Sequence, residues 1–158
     1  SDLILAAVAN YVPGFLPGYE VLFVDDGDGQ RIPVQAKERL EKAGIAIELC
    51  DAMPDVLLWN PTTGSFWVIE AVTSDGEVDF HKVRQVTTLI GRTKMEAQIG
   101  FTTVYRTWRD AAKRQGRFKN LAPDTCMWIV EDPSRQFVVK PLSGTSGHVH
   151  LTFIQKKT

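Results

Sequence analysis

The chain has 158 residues, a 44% hydrophobic and 23% charged composition, and a formal net charge of −1. That length suits one domain with a sizeable core, and the near-zero charge excludes a global field for recruiting nucleic acid, so any such binding needs a local patch. No run of eighteen apolar residues is present, which excludes a membrane-spanning helix. The apolar stretch Leu3 to Ala9 is short and has no basic residue before it, unlike a signal peptide. Cys50 and Cys126 lie far apart without metal-ligand spacing. They read as reduced core thiols of a cytoplasmic protein.

In chain order, residues 2–11 (DLILAAVANY) predict a short apolar helix ended by the Pro- and Gly-rich VPGFLPG. An apolar helix at a terminus packs on something, and the chain therefore reads as a fragment of a longer protein. Tyr19 to Val24 is an expected strand stopping at the turn-rich DDGDGQ. A helix is expected from Pro33 to Ala43, with Gly44 at its C-terminal cap. Ile45 to Leu49 is a further short strand candidate.

Residues 56–59 and 66–69 are two apolar runs on either side of Asn60-Pro61-Thr62-Thr63-Gly64, which has hairpin-loop chemistry. If Asn60 faces Ser65, paired residue numbers sum to 125, and Asp55 then lies opposite Glu70 on the same face. Their Cβ atoms would be roughly 4.5–5.5 Å apart. Two ionised carboxylates at that distance repel by roughly 3 kcal/mol at an effective dielectric near 20. A shared proton or a bound cation has to offset this, and a hard cation such as Mg²⁺ takes one or two carboxylates. Acids splayed into solvent at a frayed strand end are the other reading.

Val78 to Lys94 is helical by period, with Phe80, Val83, Thr87 and Ile90 on one face and Asp79 as N-cap. Gln98 to Tyr105 reads as a strand, Thr107 to Leu121 as a helix, and Cys126–Val130 and Gln136–Lys140 as strands. The order of elements predicts an α/β or α+β layer fold, a mixed central sheet flanked by helices. Arg106, Arg109, Lys113, Arg114, Arg117 and Lys119 form the one basic cluster suited to phosphate contacts. A solvated helix face is the plainer explanation of the same residues. Trp108 within it would support the helix or stack on a base. Ser74 precedes a helix N-terminus, where backbone N–H groups can hold a phosphate, although Asp75 would repel one. His148 and His150 lack a third ligand in sequence and read as part of a surface strand.

The stretch Pro54-Asp55-Val56, then Ile69-Glu70-Ala71-Val72-Thr73-Ser74-Asp75-Gly76, resembles the PDV and IEAVTSHGP segments of the BsuBI/PstI-type restriction endonucleases. These belong to the PD-(D/E)xK nuclease superfamily. Upstream, Val21 to Asp26 is similar to a family strand ending in an acid, with Asp26 at the matching place. The resemblance covers residues 20–141 and implies a restriction-endonuclease-like catalytic domain. Within it, 1–18 would be an N-terminal helix and linker, 19–141 the nuclease core and 142–158 a C-terminal extension.

The implied activity is Mg²⁺-dependent hydrolysis of double-stranded DNA, with Mn²⁺ as a substitute ion. Asp55 and Glu70 would hold the metal, helped by the backbone carbonyl of Ala71 or Val72. The superfamily's usual lysine would fall at Val72, so its replacement is expected to be Lys82 on the following helix, with His81 as a weaker choice. Glu38 and Glu48 are further candidates near the site. Enzymes that cut palindromes usually act as two-fold pairs, so a homodimer is expected, with a monomer as the alternative for an isolated domain. Rival readings are another nuclease of the same fold, acting in repair or junction resolution, and a DNA-binding module with a decayed site.

Overall fold

In the computed structural model, described for residues 2–25, 34–42, 44, 53–73, 76–91, 98–115, 121–141 and 149–155, one seven-stranded sheet follows the chain from edge to edge in the order β1 to β7. The strands are β1 (Glu20–Val24), β2 (Val56–Trp59), β3 (Phe66–Ala71), β4 (Ile99–Tyr105), β5 (Cys126–Ile129), β6 (Arg135–Pro141) and β7 (Val149–Gln155). Pairings β3–β4 and β4–β5 are parallel and the other four antiparallel, so the expected mixed sheet is what forms. The expected strand at Ile45–Leu49 and the residues Glu48, Cys50 and His148 lie outside the described residues. Val149–Gln155, in the stretch expected to be a C-terminal extension, forms β7, which pairs along β6 from Pro141↔Val149 to Arg135↔Gln155.

Helices α1 (Asp2–Ala6) and α2 (Val12–Phe15) are joined by a π-helical turn, Ala7–Tyr11. The sequence reading ended this helix at residue 11, yet it continues for another turn. Pro13 has no N–H to give and its ring crowds the preceding turn. The wider π turn, in which Val12 N–H reaches Ala7 O, takes up that misfit before proline is reached. Helix α3 (Val34–Lys42) follows β1, α4 (Phe80–Gly91) links β3 to β4, and α5 (Trp108–Gln115) links β4 to β5. No helix among the described residues is long and apolar enough to cross a membrane.

Alternation along the strands divides the core. Leu57, Phe66, Val68 and Phe101 pack with Val78, Val86, Leu89 and Ile90 around α4. Val56, Leu58, Ile69, Val104 and Trp128 on the opposite face pack with Leu3, Ala7, Tyr11 and Phe15 of the N-terminal helix. A third cluster gathers Val72, Tyr105, Met127 and Ile129 with Ala111 of α5. The buried stripe of α4 differs from the expected one: Phe80 is 63% exposed and Thr87 is exposed, while Val86, Leu89 and Ile90 face the sheet. Lys82 shares the inward stripe with Val86 and Leu89 at helical spacing. That orientation leaves Phe80, at the first helical position, pointing outward.

A buried polar knot ties the N-terminal helix to the sheet. The Tyr11 hydroxyl bonds Thr102 Oγ1 at 2.7 Å and also donates to Gln136 Oε1. Thr102 Oγ1 in turn accepts the Trp67 indole N–H at 2.9 Å. Trp67 lies across Gly100, its ladder partner, so closely that a Cβ at residue 100 would stand 2.2 Å from the ring. Gly100→Ala is therefore expected to lower stability by roughly 1–3 kcal/mol through overpacking. Urea melts of the variant against the parent check it, and an unchanged midpoint would contradict the packing described.

Candidate active site

The hairpin that carries the acids is set by its loop. Asn60 Oδ1 accepts the N–H groups of Thr62 and Thr63 at 3.0 and 3.2 Å, and Gly64 N–H returns to Asn60 O at 2.8 Å. Gly64 has φ +76°, a left-handed conformation that suits glycine. Asn60 N–H then bonds Ser65 O, and the pairs Val56↔Ile69 through Trp59↔Phe66 follow. Every pair sums to 125, the register read from the sequence. Asp55, one residue before β2, is next in that count opposite Glu70.

Asp55 is held from both sides. Its Oδ2 accepts Ala71 N–H at 2.8 Å, and its carbonyl accepts Asp25 N–H at 2.8 Å. The second contact depends on a bulge at Leu22, where the β1–β2 pairing shifts by one between Val21 and Phe23. The bulge brings Asp25 beside Asp55, and its negative charge adds to the upward pressure on the Asp55 carboxyl. Sequence reasoning matched Asp26 to the family's acid; Asp26 lies outside the described residues, and Asp25 is the neighbour it missed. A bulge leaves no trace in composition, which is why this neighbour was not legible.

Glu70 is only 4% exposed. Burial and the adjacent Asp55 push its carboxyl up to about 8, against the pull of Lys82 in the other direction. Burial also raises Asp55, opposed by the Ala71 N–H and by its hydrogen bond with Glu70. Lys82 comes in from α4, where Asp79 caps the first turn by accepting Lys82 N–H at 2.8 Å. Its Nζ is 3.2 Å from Glu70 Oε1. That oxygen is buried and accepts no aligned hydrogen bond, so its contact with the ammonium is chiefly one of charge.

Among the described residues no cluster of three or more His, Cys, Asp or Glu side chains is arranged to hold a metal. The two acids alone still fit a hard cation such as Mg²⁺, which keeps most of its waters and takes one or two carboxylates. The unsatisfied Glu70 oxygen is the specific observation in favour of that fit. Ala71 and Val72 follow Glu70 at the end of β3; Val72 N–H bonds Val104 O and its side chain is in the apolar cluster beneath α5. A lysine there would have to leave that cluster.

The basic candidates are placed differently from one another. Arg106, Arg109 and Lys113 are exposed, and Arg106 directly follows β4, whose Thr103 and Val104 pair with Glu70 and Ala71. Ser74, Arg117 and Lys119 lie outside the described residues. Arg114 makes a two-pronged pair with Glu77, Nε to Oε1 at 2.6 Å and Nη2 to Oε2 at 2.8 Å. The sequence reading missed Glu77; its one signal was that the segment it resembles has proline there. Trp108 supports its helix. It stands edge-on to Phe137 at 5.1 Å between centroids and donates its indole N–H to Asp132. His81 is exposed, and of the two cysteines Cys126 is a buried free thiol that burial pushes up to about 12. A surface cleft of about 500 Å³, between Asn10–Gly14 and the β5–β6 turn, includes none of the acid-site residues.

The raised Glu70 has a consequence for stability. Its proton is retained in the folded state from its ordinary 4.5 to about 8. The contribution is therefore full below the unfolded value and is lost as pH rises through 8. In EDTA, stability is expected to fall between about pH 5 and about pH 8 by on the order of 1–3 kcal/mol relative to Glu70→Gln. Thermal melts across that range decide it, and parallel curves for the two proteins would refute the assignment.

The family model for the BsuBI/PstI restriction endonuclease domain matches residues 1–140. A similar protein, the type II restriction enzyme BsuBI of Bacillus subtilis, is 28% identical over 134 residues, which is 85% of this chain and 40% of that enzyme. The structure of SdaI restriction endonuclease superposes with a TM-score of 0.72 at 24% identity, over 90% of this chain and 43% of that one. The chain thus spans about two-fifths of the length of these relatives. The mixed sheet with flanking helices is a restriction-endonuclease-like fold. On the family match and the fold together, the chain belongs to the BsuBI/PstI restriction endonuclease domain family.

Proposed function

We propose that this domain is the catalytic part of a type II restriction endonuclease that hydrolyses double-stranded DNA with Mg²⁺. The observation that carries the reading is the convergence of Asp55, Glu70 and Lys82, with Glu70 Oε1 buried, unsatisfied and 3.2 Å from the lysine ammonium. Asp55 and Glu70 would hold the ion, with a carbonyl of Ala71 or Val72 beside them. When bound, Mg²⁺ supplies a hard positive charge that stabilises a phosphate under attack.

The protein's own groups have separate tasks. Glu70 would give up its proton under a bound cation's positive charge, which would offset the burial and the Asp55 charge that raise its pKa. Asp55 is oriented in advance by the Ala71 amide on Oδ2, so its carboxylate already faces Glu70. Lys82 presents an ammonium group where charge develops on the phosphate, a preorganised electrostatic contribution. Arg106, Arg109 and Lys113 would contact the DNA backbone on the same rim of the sheet. The decayed-module reading draws on Val72 in the lysine position; the Lys82 ammonium 3.2 Å from Glu70 favours the enzyme reading over it. We place the active assembly as a homodimer on a palindromic site.

Plasmid cleavage by the full-length protein with Mg²⁺ or Mn²⁺ tests the proposal. Asp55→Ala and Glu70→Ala are expected to reduce cutting to background, and Lys82→Ala to slow it roughly 10²–10³-fold. Absence of metal-dependent cutting by the parent protein would overturn the enzyme reading. Full activity in Lys82→Ala would remove the lysine from the mechanism.

A further inference from the structure

The segment between Glu70 and Lys82 has to deliver the lysine ammonium to the acid. Among its described residues, Glu77 to Asp79 are anchored at several points. Val78 N–H donates to Thr103 Oγ1 at 3.1 Å, and Thr103 is the ladder partner of Glu70 itself. Val78 O accepts Ala122 N–H, and Asp79 N–H turns back onto Glu77 O, both at 2.9 Å. Glu77 is buried, at 8% exposure, and both of its carboxylate oxygens are taken by Arg114 of α5. Helix α4 then starts at once: Asp79 caps it and Lys82 lies in its first turn.

A planar guanidinium gripping a buried carboxylate in two places fixes direction as well as distance. An Arg114 engaged in this way has its fork turned into the protein. We propose that Arg114, with Glu77, is a positioning pair for catalysis, which clamps the entry to α4 so that Lys82 meets Glu70, and that Arg114 is not one of the phosphate contacts. The catalytic consequence rests on the nuclease reading above. The clamp itself is a statement about the fold.

The test uses the full-length protein with Arg114→Met, Glu77→Gln and the double variant. Single-turnover cleavage is expected to slow roughly 10–100-fold in each single variant, because a displaced catalytic group loses rate steeply with distance. The double variant should be no slower than either, since the two residues act as one unit. Affinity for uncut DNA in Ca²⁺, and its salt dependence, should be unchanged, so the loss falls on the chemical step and not on binding. Amide hydrogen exchange at Lys82 and Val83 should quicken in all three variants.

The proposal is overturned if Arg114→Met weakens DNA binding and lowers the salt slope by about one while Glu77→Gln does neither, the pattern of a phosphate contact. Rate losses that multiply in the double variant overturn it as well. If the parent protein does not cut DNA, the nuclease reading fails separately. The exchange measurement still decides the clamp, and unchanged exchange at Lys82 and Val83 would refute it.

Discussion

Glu70 is buried beside a second carboxylate, and much of the surrounding structure answers to that one unfavourable contact. A charge in such a place is disfavoured by lost hydration and by its neighbour together. The fold meets this with a retained proton, a backbone amide aimed at Asp55 and an ammonium brought in from α4. The acids face each other across the hairpin, the amide is that of Ala71 beside Glu70, and the ammonium comes from a separate element, α4. The site is therefore a property of the assembled sheet and helix, not of the hairpin alone.

The parts of this arrangement that were legible in sequence are local ones. The β2–β3 register followed from a loop of recognisable chemistry between two apolar runs, because hairpin pairing is fixed by the turn and by period-two burial. The Asp79 cap and the approximate limits of most elements followed from similar short-range signals. What was not legible depended on tertiary contact. The docking of Tyr11, which bonds side chains on two different strands, is one such contact. The outward Phe80 follows from the rotation of α4 that turns Lys82 inward, a choice that hydrophobic period alone could not make.

Charge patterning alone does not say where each cation points. Six cations between residues 106 and 119 look like one patch, but the three on the described helix, Arg109, Lys113 and Arg114, are not all turned the same way. Arg109 and Lys113 remain exposed to solvent, whereas Arg114, one residue on, is turned toward a buried acid 37 positions earlier in the chain. Neighbours on a helix point about a hundred degrees apart. A run of like charges therefore says little about where any one of them is directed.

The polar knot on the opposite face of the sheet carries a further implication. Thr102 is bonded both by Tyr11 of the N-terminal helix and by Trp67 of β3, and Trp67 is three residues from Glu70. The backs of β2 and β3 at Val56, Leu58 and Ile69 are covered by that same helix. Undocking the helix would bare this apolar surface and release the indole together, so helix attachment and strand order form one cooperative unit. The acids thus take their rigidity partly from a segment that touches neither of them.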